Sequence, residues 1–167
     1  MNVNSKTKNI ALAGVFAALI TLFMWFVRIP IPATSGYVHL GDSLIYLAVY
    51  ILPMPYAVAA AAVGGALADL CVGAVSYVLP TAIIKALMAY LASMFFKGER
   101  TRPSQFAAAF VFGAIITVLG YFTFEWVYWG LSYAAAGVVW NIVQAVASGV
   151  LTVPFVGAIR SITKRKK

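Results

Sequence analysis

Long apolar stretches dominate the pattern of hydrophobic and polar positions along this chain. Four of them are each long enough to cross a hydrocarbon core of about 30 Å as a helix. They lie at about residues 9–27, 55–77, 105–124 and 137–159. Two more are less regular: residues 79–96 contain Lys85, and residues 40–52 contain Asp42 and make only about 20 Å of helix. The pattern predicts an all-α integral membrane protein with six transmembrane helices, a single transmembrane domain over residues 1–167.

Three clusters of basic residues indicate the number of spans, since cytoplasmic loops of membrane proteins are enriched in lysine and arginine. The clusters are Lys6 with Lys8 before the first helix, Lys97 with Arg100 and Arg102 after the fourth, and the basic tail within residues 160–167. Six spans place all three clusters on one side, whereas five would place the N-terminal lysines opposite the tail. We therefore predict a multi-pass protein of the cell membrane with both termini in the cytoplasm.

Composition excludes several other classes of protein. Hydrophobic residues make up 63% of the chain and charged residues 10%, a balance that no soluble domain carries without large exposed apolar patches. Six spans with short loops use all 167 residues, so we expect no nucleotide-binding or catalytic domain. The net charge of +8 collects at helix ends and in the tail, where lipid headgroups explain it, so we expect contact with the lipid bilayer and not with nucleic acid.

Residue types that catalysis or metal binding requires are scarce. The one histidine and the one cysteine, His39 and Cys71, cannot form a usual metal site. Neither a nucleophile elbow nor a phosphate-binding glycine loop occurs. We therefore predict that the protein is not an enzyme and uses no catalytic residues, metal or cofactor.

Polar side chains near the spans share one depth, toward the outer end of their helices. They are Asp42, Asp69, Lys85, Glu125, Asn141 and Gln144. A charge within a bilayer costs roughly 2.5 to 3.5 kcal/mol, so such groups usually face a partner or a wet cavity. Their convergence predicts a pocket open to the outside, although Asp69 and Lys85 could instead pair and merely tie two helices together.

The outer loops supply further candidates for this pocket. The prolines in residues 28–38 cannot continue a helix, so this loop is predicted to fold over the site as a lid. His39 follows the lid and could bind a ligand; alternatively, Asp42 could cap the second helix. A second loop is predicted at residues 125–136. Its Trp126 and Trp129, like Trp140 beyond it, fit either an interfacial aromatic belt or stacking on a flat ligand.

Small residues form two surfaces suited to close helix packing. Ala13 with Ala17, and Gly14 with Ala18, are spaced by four residues along the first helix. We assign this strip to an external partner. The alanines and glycines of residues 59–68 form a second such surface, which we expect to pack inside the bundle.

These segments together resemble the substrate-binding S component of an energy-coupling factor (ECF) importer. The resemblance rests on residues 13–17 (AGVFA), 36–42 (GYVHLGD), 64–69 (GGALAD), Glu125 and residues 141–144 (NIVQ). It implies that the strip of the first helix contacts a membrane-spanning coupling subunit, which is joined to two cytoplasmic ATPases. It also implies a vitamin site near the outer surface, beneath the first loop and among the last three helices.

The segment at residues 37–42 resembles members for pyridoxine or hydroxymethylpyrimidine more than those for biotin, riboflavin or cobalamin. Thiamine or pantothenate remain alternative substrates, as do two other functions: an autonomous secondary carrier driven by an ion gradient, and a structural subunit. A nickel or cobalt component is disfavoured, because residues 1–8 contain no histidine. The expected substrate-binding residues are His39, Asp42, Asp69, Lys85, Glu125, Trp126, Trp129, Trp140, Asn141 and Gln144.

Overall fold

The structure, a computed structural model, describes residues 3–31, 36–96 and 98–165. Residues 32–35 of the predicted lid and Lys97, Lys166 and Lys167 of the basic clusters lie outside the described residues. The described part is a bundle of helices with one short β-hairpin. The helices are α1 (Val3–Phe26), α2 (Asp42–Ile51), α3 (Met54–Val72), α4 (Val78–Phe95), α5 (Pro103–Trp129) and α6 (Leu131–Arg165).

The hairpin joins α1 to α2. Its strands β1 (Arg28–Pro30) and β2 (Tyr37–His39) pair antiparallel, with Arg28 opposite His39. We call the side of the bundle that carries it the hairpin end. Five of the described helical segments are long and apolar enough to span a membrane, and α2 is a shorter apolar helix. The prediction of an all-α membrane bundle is therefore confirmed.

The short helix α2 lies in the centre of the bundle, in contact with α1, α3, α4 and α6. Its ten residues make about 15 Å of helix, too little to cross a bilayer alone. The first residue, Asp42, is hydrogen-bonded to Gln144, which lies thirteen residues, or about 20 Å, along α6 from Leu131. The hairpin thus carries the chain deep into the bundle before α2 begins, so a short helix suffices for the remaining depth.

Small residues of α3 allow close packing on two sides. A Cβ on Gly64 would lie 2.8 Å from the Ala17 carbonyl oxygen of α1, and one on Gly65 would lie 2.9 Å from Thr81 of α4. The small residues of α3 therefore pack inside the bundle, as their pattern indicated. The strip on α1 is divided between two environments, because Ala17 is buried against α3 while Gly14 and Ala18 are exposed.

Several predicted boundaries differ from the observed ones. The loop expected at residues 125–136 is wrong: α5 continues to Trp129 and α6 begins at Leu131, with only Gly130 between them. Gly130 has a φ of +93°, which turns the chain sharply without a longer loop. The third helix ends at Val72 and not at residue 77, because Gly73 adopts a left-handed conformation with a φ of +79°.

Candidate functional site

A buried ion pair joins α2 to α4 inside the bundle. The Nζ of Lys85 lies 2.7 Å from Oδ1 of Asp42, and both side chains are almost fully buried. The second oxygen of Asp42 accepts a hydrogen bond from Nε2 of Gln144 at 2.9 Å. The predicted alternative of an Asp69–Lys85 pair is therefore wrong. The same contacts exclude Asp42 as a helix cap, since its carboxylate faces the bundle and makes no capping hydrogen bond.

The amide of Gln144 also holds the hairpin. Its Oε1 accepts a hydrogen bond from the backbone N–H of His39 at 3.0 Å, so one side chain links β2 to the Asp42 carboxylate. The Nδ1 of His39 accepts a hydrogen bond from the Gly41 N–H at 3.2 Å, which requires the neutral ring. Burial lowers the pKa of His39 to about 3, against the opposing effect of Asp42. His39 is therefore uncharged at neutral pH.

Two further carboxylates are each held by a tyrosine. The Tyr37 hydroxyl of β2 donates to Oδ1 of Asp69 at 2.7 Å, and the Tyr77 hydroxyl donates to Oε1 of Glu125 at 2.9 Å. Burial, reinforced by Asp69, raises the pKa of Tyr37 well above its ordinary value, which keeps this hydroxyl a donor. Asp69 and Glu125 are each only 2% exposed.

Each of these carboxylates keeps one oxygen without a partner. Among the described residues, Oδ2 of Asp69 and Oε2 of Glu125 are buried and form no hydrogen bond. The Thr81 hydroxyl lies beside Asp69 and also forms a hydrogen bond of 3.0 Å with the Tyr121 hydroxyl. Asn141 is 4% exposed, and its amide makes no hydrogen bond within the described part of the chain. Unpaired buried acceptors are costly, so this arrangement indicates a place for donors from a ligand or from water.

These groups surround a small space that we call the inner cavity. Its volume is about 20 Å³, which is room for one or two water molecules. The lining residues are Met24, Ile31, Gly36, Tyr37, His39, Asp69, Tyr77, Thr81, Tyr121, Glu125, Asn141 and Gln144.

A larger opening of about 420 Å³, which we call the vestibule, lies at the hairpin end, between β1 and the end of α3. Arg28 is among its lining residues. Gly36, Tyr37 and Tyr77 line both spaces, so the two tyrosines separate the vestibule from the inner cavity.

The structure brings together half of the predicted site residues. His39, Asp69, Glu125, Asn141 and Gln144 line the inner cavity. Asp42 and Lys85 lie behind this lining, as the ion pair that orients Gln144.

The three predicted tryptophans do not line the inner cavity. Trp126 is 53% exposed, and Trp129 stacks on Tyr77 with ring centroids 5.2 Å apart, so it supports a lining ring from behind. Trp140 is half-buried and also absent from the lining. The prediction that tryptophan rings contact the ligand therefore finds no support in the geometry.

The rings that do line the cavity are tyrosines, which the sequence reasoning missed. Tyr121 precedes Glu125 by four residues, so the two share a helix face. Tyr37 lies two residues before His39, so the two share a face of the strand. Both spacings are readable from the sequence. Tyr77 gave no such signal, because it belongs to a short 3₁₀ turn at Val75–Tyr77 that was assigned to the third helix.

Comparison with known proteins places this geometry in context. The family model described as ECF-type riboflavin transporter, S component, matches residues 4–161. A Pyrococcus woesei protein described as "Uncharacterized protein in gap 3'region" is 37% identical over 132 residues, which cover 79% of this chain and 87% of that protein.

A solved structure shares the fold. It is described as the crystal structure at 2.1 Å of the S-component for biotin from an ECF-type ABC transporter. The two superimpose with a TM-score of 0.72 over 98% of this chain and 95% of that one, at 18% sequence identity. At that identity the likeness shows a common fold and leaves the ligand open.

Proposed function

The chain belongs to the family of ECF-type riboflavin transporter S components, and on that premise we propose that it captures a small single-ring vitamin or precursor in the inner cavity. Membership makes it a vitamin-binding membrane subunit of an ECF transporter, which works with an ECF module, and not an enzyme. Pyridoxine and hydroxymethylpyrimidine are the ligands we favour.

The unpaired acceptors of the inner cavity carry this proposal. Oδ2 of Asp69 and Oε2 of Glu125 need donors, and both favoured ligands present hydroxymethyl groups on a flat nitrogen ring. The amide of Asn141 offers one more donor and one more acceptor. The rings of Tyr77 and Tyr121 supply flat contact area beside these polar groups. Small-molecule sites usually combine apolar and aromatic walls with a few polar groups that select the ligand.

Cavity size favours one ring over several. The inner cavity of about 20 Å³ must expand for any vitamin, and we propose that the hairpin, whose Gly36, Tyr37 and His39 line the cavity, is the part of the wall that moves. Release of the Tyr37–Asp69 hydrogen bond would join the cavity to the vestibule of about 420 Å³. A single ring needs the least rearrangement. Riboflavin, which the family description names, is the second candidate substrate and needs a larger, more apolar space.

We place the hairpin end outside the cell and both termini in the cytoplasm. Lys6 and Lys8 at the start of α1, Arg100 and Arg102 before α5, and Arg160 near the end of α6 all lie toward the opposite end of the bundle. The positive-inside rule assigns that end to the cytoplasm. The vestibule then opens outward, where an importer meets its substrate.

The partner subunits that we propose follow from the family, and the surface of α1 indicates where they bind. We propose that a membrane-spanning coupling subunit, joined to two cytoplasmic ATPases, contacts the exposed side of α1 at Gly14 and Ala18. A Cβ on Gly14 would meet nothing within 4 Å, so this surface is smooth and open. Ala13 and Ala17 belong to the expected strip as well, but Ala17 packs against α3 and Ala13 is half-buried against the core, so the proposed contact is limited to Gly14 and Ala18.

Thermal unfolding of the purified protein in detergent tests the proposed ligand class. The panel comprises pyridoxine, hydroxymethylpyrimidine, thiamine, pantothenate, riboflavin and biotin. A ligand at a hundred times its Kd stabilises the native state by about 2.7 kcal/mol. We expect stabilisation by pyridoxine or hydroxymethylpyrimidine that is lost in Asn141→Ala and kept in Trp126→Phe, a matched exposed control. Stabilisation by riboflavin alone would overturn the single-ring assignment.

Transport by the isolated chain distinguishes this function from an autonomous carrier. In liposomes under a proton or sodium gradient, we expect bound vitamin but no accumulation without the coupling subunit and ATPases. Gradient-driven accumulation by the chain alone would favour the carrier. Absence of any ligand, with Asn141→Ala affecting only stability, would favour a structural subunit.

A further inference from the structure

We propose that the inner cavity selects a cationic nitrogen heterocycle and rejects vitamins that carry a carboxylate. The inference rests on the proposed function, because it assumes that the inner cavity is the vitamin site. It concerns the charge of the ligand, which neither the family nor the fold determines.

The charges around the inner cavity do not balance among the described residues. Asp69 and Glu125 contribute two carboxylates to the lining. The nearby ammonium of Lys85 is already neutralised by Asp42, 2.7 Å away. His39 is held neutral by the hydrogen bond that its Nδ1 accepts. Arg28 is exposed and lines the vestibule, but it does not line the inner cavity.

Hydrogen bonding shows the same imbalance. Tyr37 and Tyr77 each satisfy one carboxylate oxygen, and one oxygen of each carboxylate remains unpaired and buried. A protonated ring nitrogen or an amino group supplies both the charge and the N–H donors that these oxygens lack. A ligand carboxylate would add a third negative charge to the same small space and leave both oxygens unpaired.

The aromatic wall favours the same ligand. Tyr37, Tyr77 and Tyr121 are the aromatic side chains that line the cavity besides His39. Tyrosine faces attract cations through their quadrupole, and Lys85 already lies 5.4 Å from the Tyr121 ring centroid. The hydroxyls of Tyr37 and Tyr77 bind the two carboxylates, so both rings lie next to the acceptors that a flat cation would use.

Titration calorimetry with matched probes tests the charge preference. The probes are pyridoxine, its N-methyl derivative, whose ring nitrogen carries a permanent positive charge, and 4-pyridoxate, in which a carboxylate replaces one hydroxymethyl group. Thiamine, a fixed cation, and pantothenate, an anion, repeat the comparison on other scaffolds. We expect 4-pyridoxate to bind at least tenfold more weakly than pyridoxine, the size of one charged hydrogen bond, and at least one fixed cation to bind more tightly than either anion.

Two isosteric variants connect the preference to the carboxylates. Glu125→Gln and Asp69→Asn remove charge and preserve shape, so each should reduce the ratio of cation to anion affinity about tenfold or more. Either variant suffices if the other fails to fold, and Trp126→Phe should leave the ratio unchanged.

Equal affinity for pyridoxine and 4-pyridoxate, or a ratio that neither variant alters, would overturn the inference. The proposed function would survive if pyridoxine and 4-pyridoxate bound equally well and both lost affinity in Asn141→Ala, and only the charge preference would then be wrong. Binding of no probe at all would overturn both.

Discussion

Replacement of Lys85 by methionine tests the buried ion pair that underlies the site. Asp42 is 1% exposed and Lys85 is 0% exposed, so water cannot replace the lost ammonium. Removal of one partner from a buried pair costs about 3 to 5 kcal/mol, because the other charge stays buried without compensation. Gln144 still donates to Oδ2 of Asp42, so we expect the lower value, about 3 kcal/mol. For a chain of this size that corresponds to a Tm lower by about 6 to 12 °C.

Thermal unfolding in one detergent, followed by circular dichroism, measures this cost. Lys8→Met is the matched control, since Lys8 is exposed on α1 and its loss should change stability by less than about 0.5 kcal/mol. The double variant Asp42→Asn with Lys85→Met removes both charges and keeps an amide for Gln144, so it should recover about 2 kcal/mol relative to Lys85→Met. A Tm for Lys85→Met close to that of the unmodified protein, or a double variant less stable than both single variants, would refute the reasoning.

Three other predictions concern the hairpin and α1. Tyr37→Phe removes the hydrogen bond to Asp69 and keeps the ring, so stopped-flow binding should show faster association and faster dissociation; unchanged rates would exclude Tyr37 as a barrier. Gly14→Leu should abolish uptake by the complete transporter and preserve ligand binding, whereas normal uptake would exclude this contact. His39 has a pKa of about 3 when folded and 6.5 as its ordinary value, so its neutral form contributes stability above pH 6.5 that is lost as the pH falls. Stability should drop by about 2 kcal/mol from pH 7 to pH 5, and His39→Gln should flatten that dependence.

Membrane character and the number of helical segments were predictable from local patterns. A contiguous apolar stretch of about 20 residues is helical in a bilayer wherever it packs, because a helix satisfies all its backbone hydrogen bonds within the one segment. The central helix α2 was foreseen as the shortest segment, and the structure explains its length by the depth at which Asp42 begins it. The prediction of a loop at residues 125–136 was wrong because aromatic residues continue a helix as readily as they form an interfacial loop.

Candidate site residues were predictable by depth but not by role. Asp69, Glu125, Asn141 and Gln144 all line one cavity, as the shared depth predicted for them indicated. Depth does not determine rotation about a helix axis, and rotation decides what a side chain faces. Trp126 therefore lies on the outer surface although it follows the lining residue Glu125. Tyr121, which is not among the predicted site residues, lines the cavity.

The sequence by itself determined that this chain is a helical membrane protein with polar groups gathered near one end, because apolar length and charge position are local properties. Only the tertiary structure decided which charges meet. Lys85 forms an ion pair with Asp42 and not with Asp69, because the hairpin brings the start of α2 to the depth of Lys85. Tyr37 of the same hairpin donates a hydrogen bond to Asp69. That choice leaves Asp69 and Glu125 each with an unpaired oxygen, the feature from which the ligand's charge is inferred. Pairing across helices depends on their relative depth and rotation, which arise from close packing at residues such as Gly64 and Gly65 and not from any one segment.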